Sequence, residues 1–504
     1  MKNKINKILI ANRGEIAVRI ISACQEMGIA TVAVYSDADE NALHKEMADE
    51  PVHIGASPAT ESYLDFNKII NAAKESGADA IHPGYGFLSE NPSFNQAVKD
   101  SGLIFIGPNP DAMKVLGSKV ESRIKMMEAG VPVVPGMGTS SLKIEDFIQS
   151  AKEIGYPVLV KASDGGGGKG MRIVRSENEL KSAVEASIRE SKSSFGSDKV
   201  FLEKYIEKPR HIEIQVARDT HGNARHFFER ECSIQRRHQK IIEETPSTAL
   251  SDEVREKMCS SAIKAVEAVD YHSVATVEFL LDEDGSYYFL EINTRIQVEH
   301  PVTEMVTGRD LVKLQIDIAS GEEIDFTQAE VTSRGHSIEC RIYAEDAEND
   351  FIPTGGKILL YNEPSGIGIR VDSGIRNGDE ISSFYDPIMA KLITYGQNRE
   401  EARLRMIRSL SEFVTLGVKT STEFLSSVLS HEDFISGQTF TNFLDENSEL
   451  MNVKRKYLNE AIKLANSEIN KNTMPKQNND SNIQNTRSVR SVWDEIGEWE
   501  VFSR

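Results

Sequence analysis

The sequence feature that most restricts the fold is the dipeptide Asp284-Gly285, which interrupts a run of aliphatic, β-branched and aromatic residues between positions 273 and 292. Asp-Gly between two such runs is the strongest short-range signal for a two-residue β-hairpin loop. With 284 and 285 as the loop, Glu278 lies directly opposite Glu291 on the neighbouring strand. Because directly opposed like charges destabilise a sheet, this pairing predicts that a cation lies between the two carboxylates.

A row of polar side chains extends from this hairpin. Period two places Asn293 on the same face as Glu291, and carboxylate and amide oxygens are ligands that Mg²⁺ accepts alongside water and phosphate oxygens. If the chain stays extended, the same face continues through Arg295, Gln297 and Glu299. A metal, an anion-binding guanidinium and a candidate base in one row fit phosphoryl transfer to a small oxyanion. The alternative is a solvent-exposed hairpin face, which the apolar neighbours of the glutamates disfavour.

A glycine segment, residues 165–170, lies between two apolar runs that are typical of strands. Glycine at five of its six positions destabilises regular structure, and the usual reason for such a segment is close approach of backbone N–H groups to an anion. A P-loop is excluded because Lys169 is followed by Gly and a strand rather than by Ser or Thr and a helix. The segment predicts a flap that holds phosphate, with Lys119 and Lys161 as further cations; a mobile loop without a ligand is the alternative.

Composition limits the partners and the compartment. The chain has 504 residues and a net charge of −20, which argues against general binding to nucleic acids or anionic membranes. Its four cysteines form no CxxC pair, so we expect neither a zinc site nor a disulfide scaffold, but a reducing compartment. No apolar run approaches the roughly 18 residues that cross a bilayer. We therefore expect a soluble cytoplasmic enzyme.

Strand and helix patterns alternate near the N-terminus and predict a parallel sheet covered by helices. The first strand-to-helix turn, Asn12 to Glu15, lacks the three glycines of a dinucleotide-binding turn, so NAD and FAD are not expected. The predicted fold class is α/β (α+β). The expected divisions are residues 1–117, 118–335, 336–447 and 448–504, the last being a helix, a polar linker and a tail with Trp493 and Trp499.

Five motifs together identify the family that the chain resembles. They are residues 11–17 (ANRGEIA), 82–91 (HPGYGFLSEN), the glycine segment, 231–240 (ECSIQRRHQK) and 291–301 (EINTRIQVEHP). Over residues 4–447 the chain resembles biotin carboxylase, a member of the ATP-grasp superfamily. The resemblance implies a Rossmann-like N-terminal domain, an ATP-grasp central domain with a mobile glycine-rich lid, and a mixed α/β C-terminal domain, followed by a helical or disordered tail.

The resemblance also implies roles for individual residues. ATP is expected to be bound by Lys119, Lys161, Gly167, Gly168, Met171, Glu203, Lys204, Tyr205, Ile206, His211, Gln235, His238, Glu278 and Glu291. The implied Mg²⁺ (or Mn²⁺) ligands are Glu278, Glu291 and Asn293. Bicarbonate is expected to contact Lys240, Arg295, Gln297, Val298 and Glu299. The implied catalytic set is Lys240, Arg295, Glu299 and Arg341; Glu299 is the base, Arg341 stabilises the enolate of biotin, and Tyr85 borders the biotin pocket.

The implied partners follow from the reaction. Biotin is expected on a separate biotin carboxyl carrier protein because the sequence has no Met-Lys-Met site, only a partial match at Met113-Lys114. The other expected partners are a carboxyltransferase subunit and a second copy of the chain. The leading interpretation is the biotin carboxylase subunit of an acetyl-CoA or propionyl-CoA carboxylase. A two-subunit pyruvate carboxylase, another bicarbonate-using ATP-grasp ligase and a non-catalytic homologue are the alternatives. The tail is expected either to dock a partner subunit or to fold back on its own domain.

Overall fold

The computed structural model describes residues 4–137, 143–162, 171–195, 198–237 and 239–452, together with Lys463. The glycine segment with Gly167 and Gly168, His238 and the tail with Trp493 and Trp499 lie outside these residues, so their predictions stay untested. The chain divides into two units, Met1–Val453 and Lys454–Arg504. Within the described residues, we find no helix that combines the length and the apolar character needed to cross a membrane.

The first part of the chain alternates strands and helices. In chain order they are β1 (Lys7–Ile10), α1 (Gly14–Glu26), β2 (Ala30–Ser36), α2 (Leu43–Met47), β3 (Glu50–Gly55), α3 (Phe66–Glu75), β4 (Ala80–His82), α4 (Pro92–Asp100), β5 (Ile104–Phe105) and α5 (Pro110–Gly117). The strands pair in parallel in the order β3-β2-β1-β4-β5, which confirms the predicted parallel sheet. Ile8 and Ile10 pack with α1 on one face, and Leu9 packs with α3 and α4 on the other.

The second part mixes helices with antiparallel strands. Its elements are α6 (Lys119–Glu128), α7 (Ile144–Ile154), β6 (Val158–Ala162), β7 (Arg172–Val174), α8 (Glu177–Phe195), β8 (Val200–Lys204), β9 (Arg210–Arg218), β10 (Ala224–Arg236), β11 (Gln239–Thr245), α9 (Asp252–Glu267), β12 (Ser273–Leu281), β13 (Tyr287–Asn293), α10 (His300–Thr307) and α11 (Leu311–Ala319). Helix α6 begins where Ser118 accepts a hydrogen bond from the backbone of Glu121. Strands β7, β6 and β8 form a small sheet with its own apolar cluster, and the glycine segment joins β6 to β7.

The third part completes a large sheet. Its elements are β14 (His336–Tyr343), β15 (Glu345–Asp346), β16 (Ile352–Pro353), β17 (Gly356–Lys357), β18 (Leu360–Asn362), β19 (Ile369–Ser373), β20 (Glu380–Ile381), β21 (Ile388–Gly396), α12 (Arg399–Glu412), β22 (Val414–Leu416), α13 (Thr422–Leu429), α14 (Glu432–Ile435) and α15 (Phe443–Glu446). Eight strands pair in the order β13-β12-β9-β10-β11-β14-β21-β19. The sheet therefore runs continuously across the division expected at 335/336, and that division stays a prediction.

The hairpin β12–β13 has the expected pair but not the expected loop. Glu278 is the direct partner of Glu291, whereas Leu281 pairs with Tyr287, so the loop is longer than the predicted two residues. Gly285 adopts a positive φ of 84° in this loop, as in hairpins that close with a bulge. A second irregularity between Glu278 and the next pair makes Leu290 the extra residue. The two shifts cancel, and the carboxylates still face each other.

We predict that Gly374→Ala destabilises the protein. A Cβ at this position would lie 2.6 Å from the carbonyl carbon of Gly14, at the start of α1. The backbone there cannot move aside without a cost in folding free energy. Overpacking of this kind costs about 1–3 kcal/mol of unfolding free energy. Denaturant unfolding of the full chain measures it, and Gly117→Ala, with no atom within 4 Å, is the control. Equal stability of the two variants would contradict the prediction.

Candidate active site

Polar side chains collect on one face of the large sheet. On β9, Ile212 and Ile214 lie in a buried apolar cluster with residues of β12 and β13. The alternate residues His211 and Glu213 therefore face the other way, and Glu278 joins them because it pairs directly with Glu213 across β9 and β12. The strands thus bury apolar residues on one side and present ionisable groups on the other.

Lys240 is the centre of this polar face. Its Nζ donates to Glu213 Oε2 at 2.6 Å, to Glu278 Oε1 at 2.8 Å and to Glu299 Oε1 at 2.8 Å. Burial opposes the charge of the ammonium, but the three carboxylates outweigh it and hold the pKa of Lys240 well above its ordinary value. The cation that the opposed glutamates predicted is therefore supplied in part by the protein itself.

Glu299 lies between two cations. Its second oxygen, Oε2, accepts a hydrogen bond from Arg341 Nη2 at 2.9 Å, while Oε1 accepts from Lys240. The side chain is fully buried. Burial raises the pKa of Glu299, but Lys240, Arg341 and Arg230 outweigh burial and hold it well below its ordinary value. Glu299 is thus an anion at neutral pH, sealed from bulk water.

The three candidate metal ligands lie together. Glu278 Oε1 accepts from Asn293 Nδ2 at 2.8 Å, and Glu278 Oε2 is 3.0 Å from His211 Nε2. Burial opposes ionisation of Glu278, but Lys240 and His211 hold its pKa well below the ordinary value. Loss of hydration and the Glu278 charge raise the pKa of Glu291, so this carboxylate lacks a sufficient counter-charge. Two opposed carboxylates and an amide form a hard-oxygen donor set that fits Mg²⁺.

The chain beyond β13 reaches the same cluster without remaining extended. β13 ends at Asn293, and the extension predicted through residue 299 is wrong because Glu299 already forms the N-cap of α10. Arg295 nevertheless donates through Nη1 to Gln297 Oε1 at 3.1 Å and through Nη2 to Asn293 Oδ1 at 3.2 Å. The carbonyl of Val298 accepts a hydrogen bond from Lys391 Nζ at 3.1 Å. A buried lysine therefore fixes the backbone at Val298.

Arg295 also connects the sheet to the first part of the chain. Its Nε donates to Glu90 Oε2 at 3.0 Å, and Glu90 lies in the turn that follows β4. The same turn carries Tyr85, whose hydroxyl is buried and has no hydrogen-bond partner among the described residues. A buried phenol without a partner is suited to a polar group of a ligand.

The candidate nucleotide residues occupy the small sheet and the adjoining end of β9. Lys161 Nζ donates to Glu203 Oε2 at 2.7 Å, and Lys204 Nζ donates to the carbonyls of Gly155 and Tyr156 at 3.1 and 3.2 Å. The ammonium of Lys204 is thus hydrogen-bonded to main-chain carbonyl groups.

The remaining candidates differ in exposure. The backbone of Tyr205 donates to the Pro157 carbonyl, Ile206 is buried and Met171 is 36% exposed. Gln235 Nε2 lies 2.9 Å from His211 Nδ1. Lys119, the first residue of α6, lowers the pKa of Glu291 through its charge, which places it near the candidate metal ligands.

Three charged residues of this site, Arg230, Glu213 and Glu243, were not predicted from the sequence. Arg230 is fully buried and donates to Glu213, and also to Gln215 Oε1 at 2.7 Å and Thr276 Oγ1 at 3.0 Å. Glu213 in turn holds Lys240, and Glu243 Oε1 accepts from Arg341 Nε at 2.6 Å. The available signal was a charge at alternate positions within apolar strands, which indicates a buried ionic network rather than a surface.

Comparisons with known proteins agree with this geometry. Family models match for the biotin carboxylase N-terminal domain at residues 4–113, the carbamoyl-phosphate synthase L chain ATP-binding domain at 118–327 and the biotin carboxylase C-terminal domain at 339–446. Biotin carboxylase 1 of Bacillus subtilis is 52% identical over 442 residues, covering 88% of this chain and 98% of that protein. A pyruvate carboxylase subunit from Methanothermobacter thermautotrophicus is 51% identical over 441 residues, covering 88% and 90%.

Solved structures share the fold. The biotin carboxylase domain dimer of Hydrogenobacter thermophilus 2-oxoglutarate carboxylase, in complex with MgADP, ADP and bicarbonate, superposes with a TM-score of 0.84 at 46% identity, covering 90% of this chain and 99% of that one. Biotin carboxylase of Campylobacter jejuni, in a β-γ-ATP complex, gives 0.83 at 43% identity, covering 88% and 99%. The chain therefore belongs to the biotin carboxylase family of the ATP-grasp superfamily and is an ATP-dependent ligase.

Proposed function

We propose that this enzyme carboxylates biotin on a separate carrier protein, as the first half-reaction of an acetyl-CoA or propionyl-CoA carboxylase. The observation that carries the proposal is Glu299, an anion buried between Lys240 and Arg341. This arrangement can bind a small acid and accept its proton beside a phosphate-binding cluster.

ATP and a divalent cation occupy neighbouring parts of this site in the proposal. Glu278, Glu291 and Asn293 hold Mg²⁺ or Mn²⁺. When bound, the ion neutralises the charge of the nucleotide phosphates. Lys161 and Lys119 bring further positive charge to the phosphates. His211 at the start of β9 and Gln235 near the end of β10 complete the proposed nucleotide site.

Bicarbonate binds next to Glu299. Lys240 and Arg295 attract the anion, and Gln297 and Val298 border it. Its negative charge partly satisfies the cations that depress the pKa of Glu299, so the carboxylate becomes basic enough to take the bicarbonate proton. The deprotonated oxygen then attacks the γ-phosphorus of ATP, the bond to ADP breaks, and carboxyphosphate forms in a site closed to bulk water.

Biotin reacts in the second step. Carboxyphosphate breaks down to CO₂ and phosphate, the phosphate takes the proton from biotin N1′, and the resulting nitrogen attacks CO₂. Arg341 stabilises the negative charge that develops on the ureido oxygen. Tyr85 borders the pocket, and its hydroxyl, which has no hydrogen-bond partner within the described part of the chain, supports that placement.

The final acceptor distinguishes two candidate complexes. The match to the Methanothermobacter pyruvate carboxylase protein favours a two-subunit pyruvate carboxylase as the second candidate.

The dimeric Hydrogenobacter domain supports a homodimer in either case, and the four buried free cysteines support a cytoplasmic location. Mixing the purified enzyme with a carrier and each candidate carboxyltransferase, and measuring malonyl-CoA, methylmalonyl-CoA or oxaloacetate, separates the candidates.

We expect free biotin to stimulate bicarbonate-dependent ATP cleavage by the full chain. The reason is that biotin consumes the CO₂ formed in the site and draws the reaction forward. Phosphate release and ¹⁴C-carboxybiotin, each measured with and without biotin, test this. ATP cleavage that requires bicarbonate but ignores biotin, without carboxybiotin, would assign the enzyme to another bicarbonate-using reaction.

We predict that Glu299→Gln lowers bicarbonate-dependent ATP cleavage by at least about 100-fold, because an amide cannot accept the proton. Calorimetric titration with ATP serves as the control and is expected to give an unchanged affinity. Turnover close to that of the unmodified enzyme would refute Glu299 as the base.

We predict that Glu291→Gln raises the Mg²⁺ concentration for half-maximal activity by about 10-fold, because one of the two opposed charges that bind the ion is lost. ATP cleavage measured against Mg²⁺ at fixed nucleotide provides the readout. Glu283→Gln, in the exposed loop of the same hairpin, is the matched control. Identical Mg²⁺ dependence in both variants would exclude Glu291 as a ligand.

A further inference from the structure

Arg341 is held by two carboxylates, and only one of them belongs to the proposed chemistry. Its Nη2 donates to Glu299 at 2.9 Å, whereas its Nε donates to Glu243 Oε1 at 2.6 Å. Nη2 also lies 2.6 Å from the same oxygen of Glu243. Glu243 is fully buried on β11, and Arg341 lies on the adjacent strand β14. The shorter hydrogen bond is therefore made to the residue that has no assigned role.

The surroundings of Glu243 are unusual for a packing residue. Its direct partner across β11 and β14 is Glu339, which is also fully buried. Among the described residues, both oxygens of Glu339 lack a hydrogen-bond partner, and so does Oε2 of Glu243. Burial raises the pKa of Glu339 well above its ordinary value. Apolar residues would be more stable at such a pair of positions, so the arrangement points to a use other than stability.

The proposed chemistry supplies that use. Arg341 must leave Glu299 for the biotin oxygen, and the transfer becomes favourable when Glu299 takes the bicarbonate proton and loses its charge. At that moment Glu243 is the remaining carboxyl group in contact with the guanidinium. Glu243 contacts both Nε and Nη2 of Arg341, so the guanidinium stays anchored when its hydrogen bond to Glu299 is given up.

We propose that Glu243 is a positioning residue that holds the guanidinium of Arg341 in place while its hydrogen bond to Glu299 is replaced by one to biotin. The inference rests on the proposed biotin carboxylation. ATP cleavage then has two outcomes: either biotin captures the CO₂, or the CO₂ escapes from the site. The ratio of carboxybiotin formed to ATP cleaved therefore reports on the position of Arg341.

Glu244 offers a matched control. It is the next residue on β11, is 3% exposed and also binds an arginine, since Arg399 Nε donates to Glu244 Oε2 at 2.7 Å. Its partners Arg399 and His336 lie outside the proposed site. Glu244→Gln therefore removes a buried charge of equal kind from the same strand without touching Arg341.

The experiment compares Glu243→Ala, Glu243→Gln and Glu244→Gln in the full chain with free biotin as the acceptor. We expect the ratio of carboxybiotin to cleaved ATP to fall about 10-fold or more in Glu243→Ala. Glu243→Gln is expected to keep an intermediate ratio because its amide oxygen still accepts from Nε. Glu244→Gln is expected to keep the ratio of the unmodified enzyme, whatever its melting temperature.

Two results would overturn the inference. In the first, both Glu243 variants form as much carboxybiotin per ATP cleaved as Glu244→Gln. In the second, ATP cleavage and carboxylation fall by the same factor in the Glu243 variants. If Glu243→Ala does not fold, Glu243→Gln decides by the same criterion. Failure of the proposed function is a separate outcome, because then the unmodified enzyme itself forms no carboxybiotin.

Discussion

The ammonium of Lys240, bound to three carboxylates at once, is the interaction on which the candidate site depends. Glu213, Glu278 and Glu299 come from different segments, and without a shared cation their charges would repel one another in a region with little water. Lys240 makes their close approach possible and keeps Glu299 ionised. The charge of Glu291 is less well balanced, since burial and Glu278 raise its pKa, and this is the basis for the proposed divalent-ion site.

Arg230 extends this arrangement into the interior. It has no exposed surface, and it satisfies Glu213 together with the polar groups of Gln215 and Thr276. Such a network is rigid only when each member is satisfied. Glu213 therefore presents Lys240 at a defined position, and the buried side of the sheet determines the geometry of the side that meets the ligand.

Local rules predicted the parallel sheet and the facing of Glu278 and Glu291, because strand alternation and turn residues act over short distances. The same rules did not predict the hairpin loop or the extra residue at Leu290, whose shifts happen to cancel. A comparable irregularity on β11 leaves Ile241 unpaired between Lys240 and Ile242. It lets Lys240 and Glu243 reach the same cluster, although strict alternation assigns them to opposite faces. Irregularities of this kind depend on tertiary packing.

The hairpin pattern alone indicated Glu278, Glu291 and Asn293 as metal ligands, whereas the roles of Lys240 and Arg341 were accessible only through the resemblance. Composition and spacing show that Arg341 and Glu299 alternate with apolar residues, but not that they meet. That contact joins β14 to the N-cap of α10, two segments brought together by the pairing of β11 with β14. Glu243 carries no sequence signal beyond a charge in an apolar strand, and its significance is visible only in three dimensions.

The continuity of the large sheet has a mechanical consequence. The candidate metal ligands, Lys240 and Arg341 lie on strands of one hydrogen-bonded framework from β13 to β14, whereas β7, β6 and β8 form a separate sheet with a separate core. Because the two sheets have separate cores, a displacement of the smaller sheet would leave the distances among these groups unchanged. Access for ATP and precision of transfer are thus assigned to different layers of the molecule, and neither has to be sacrificed for the other.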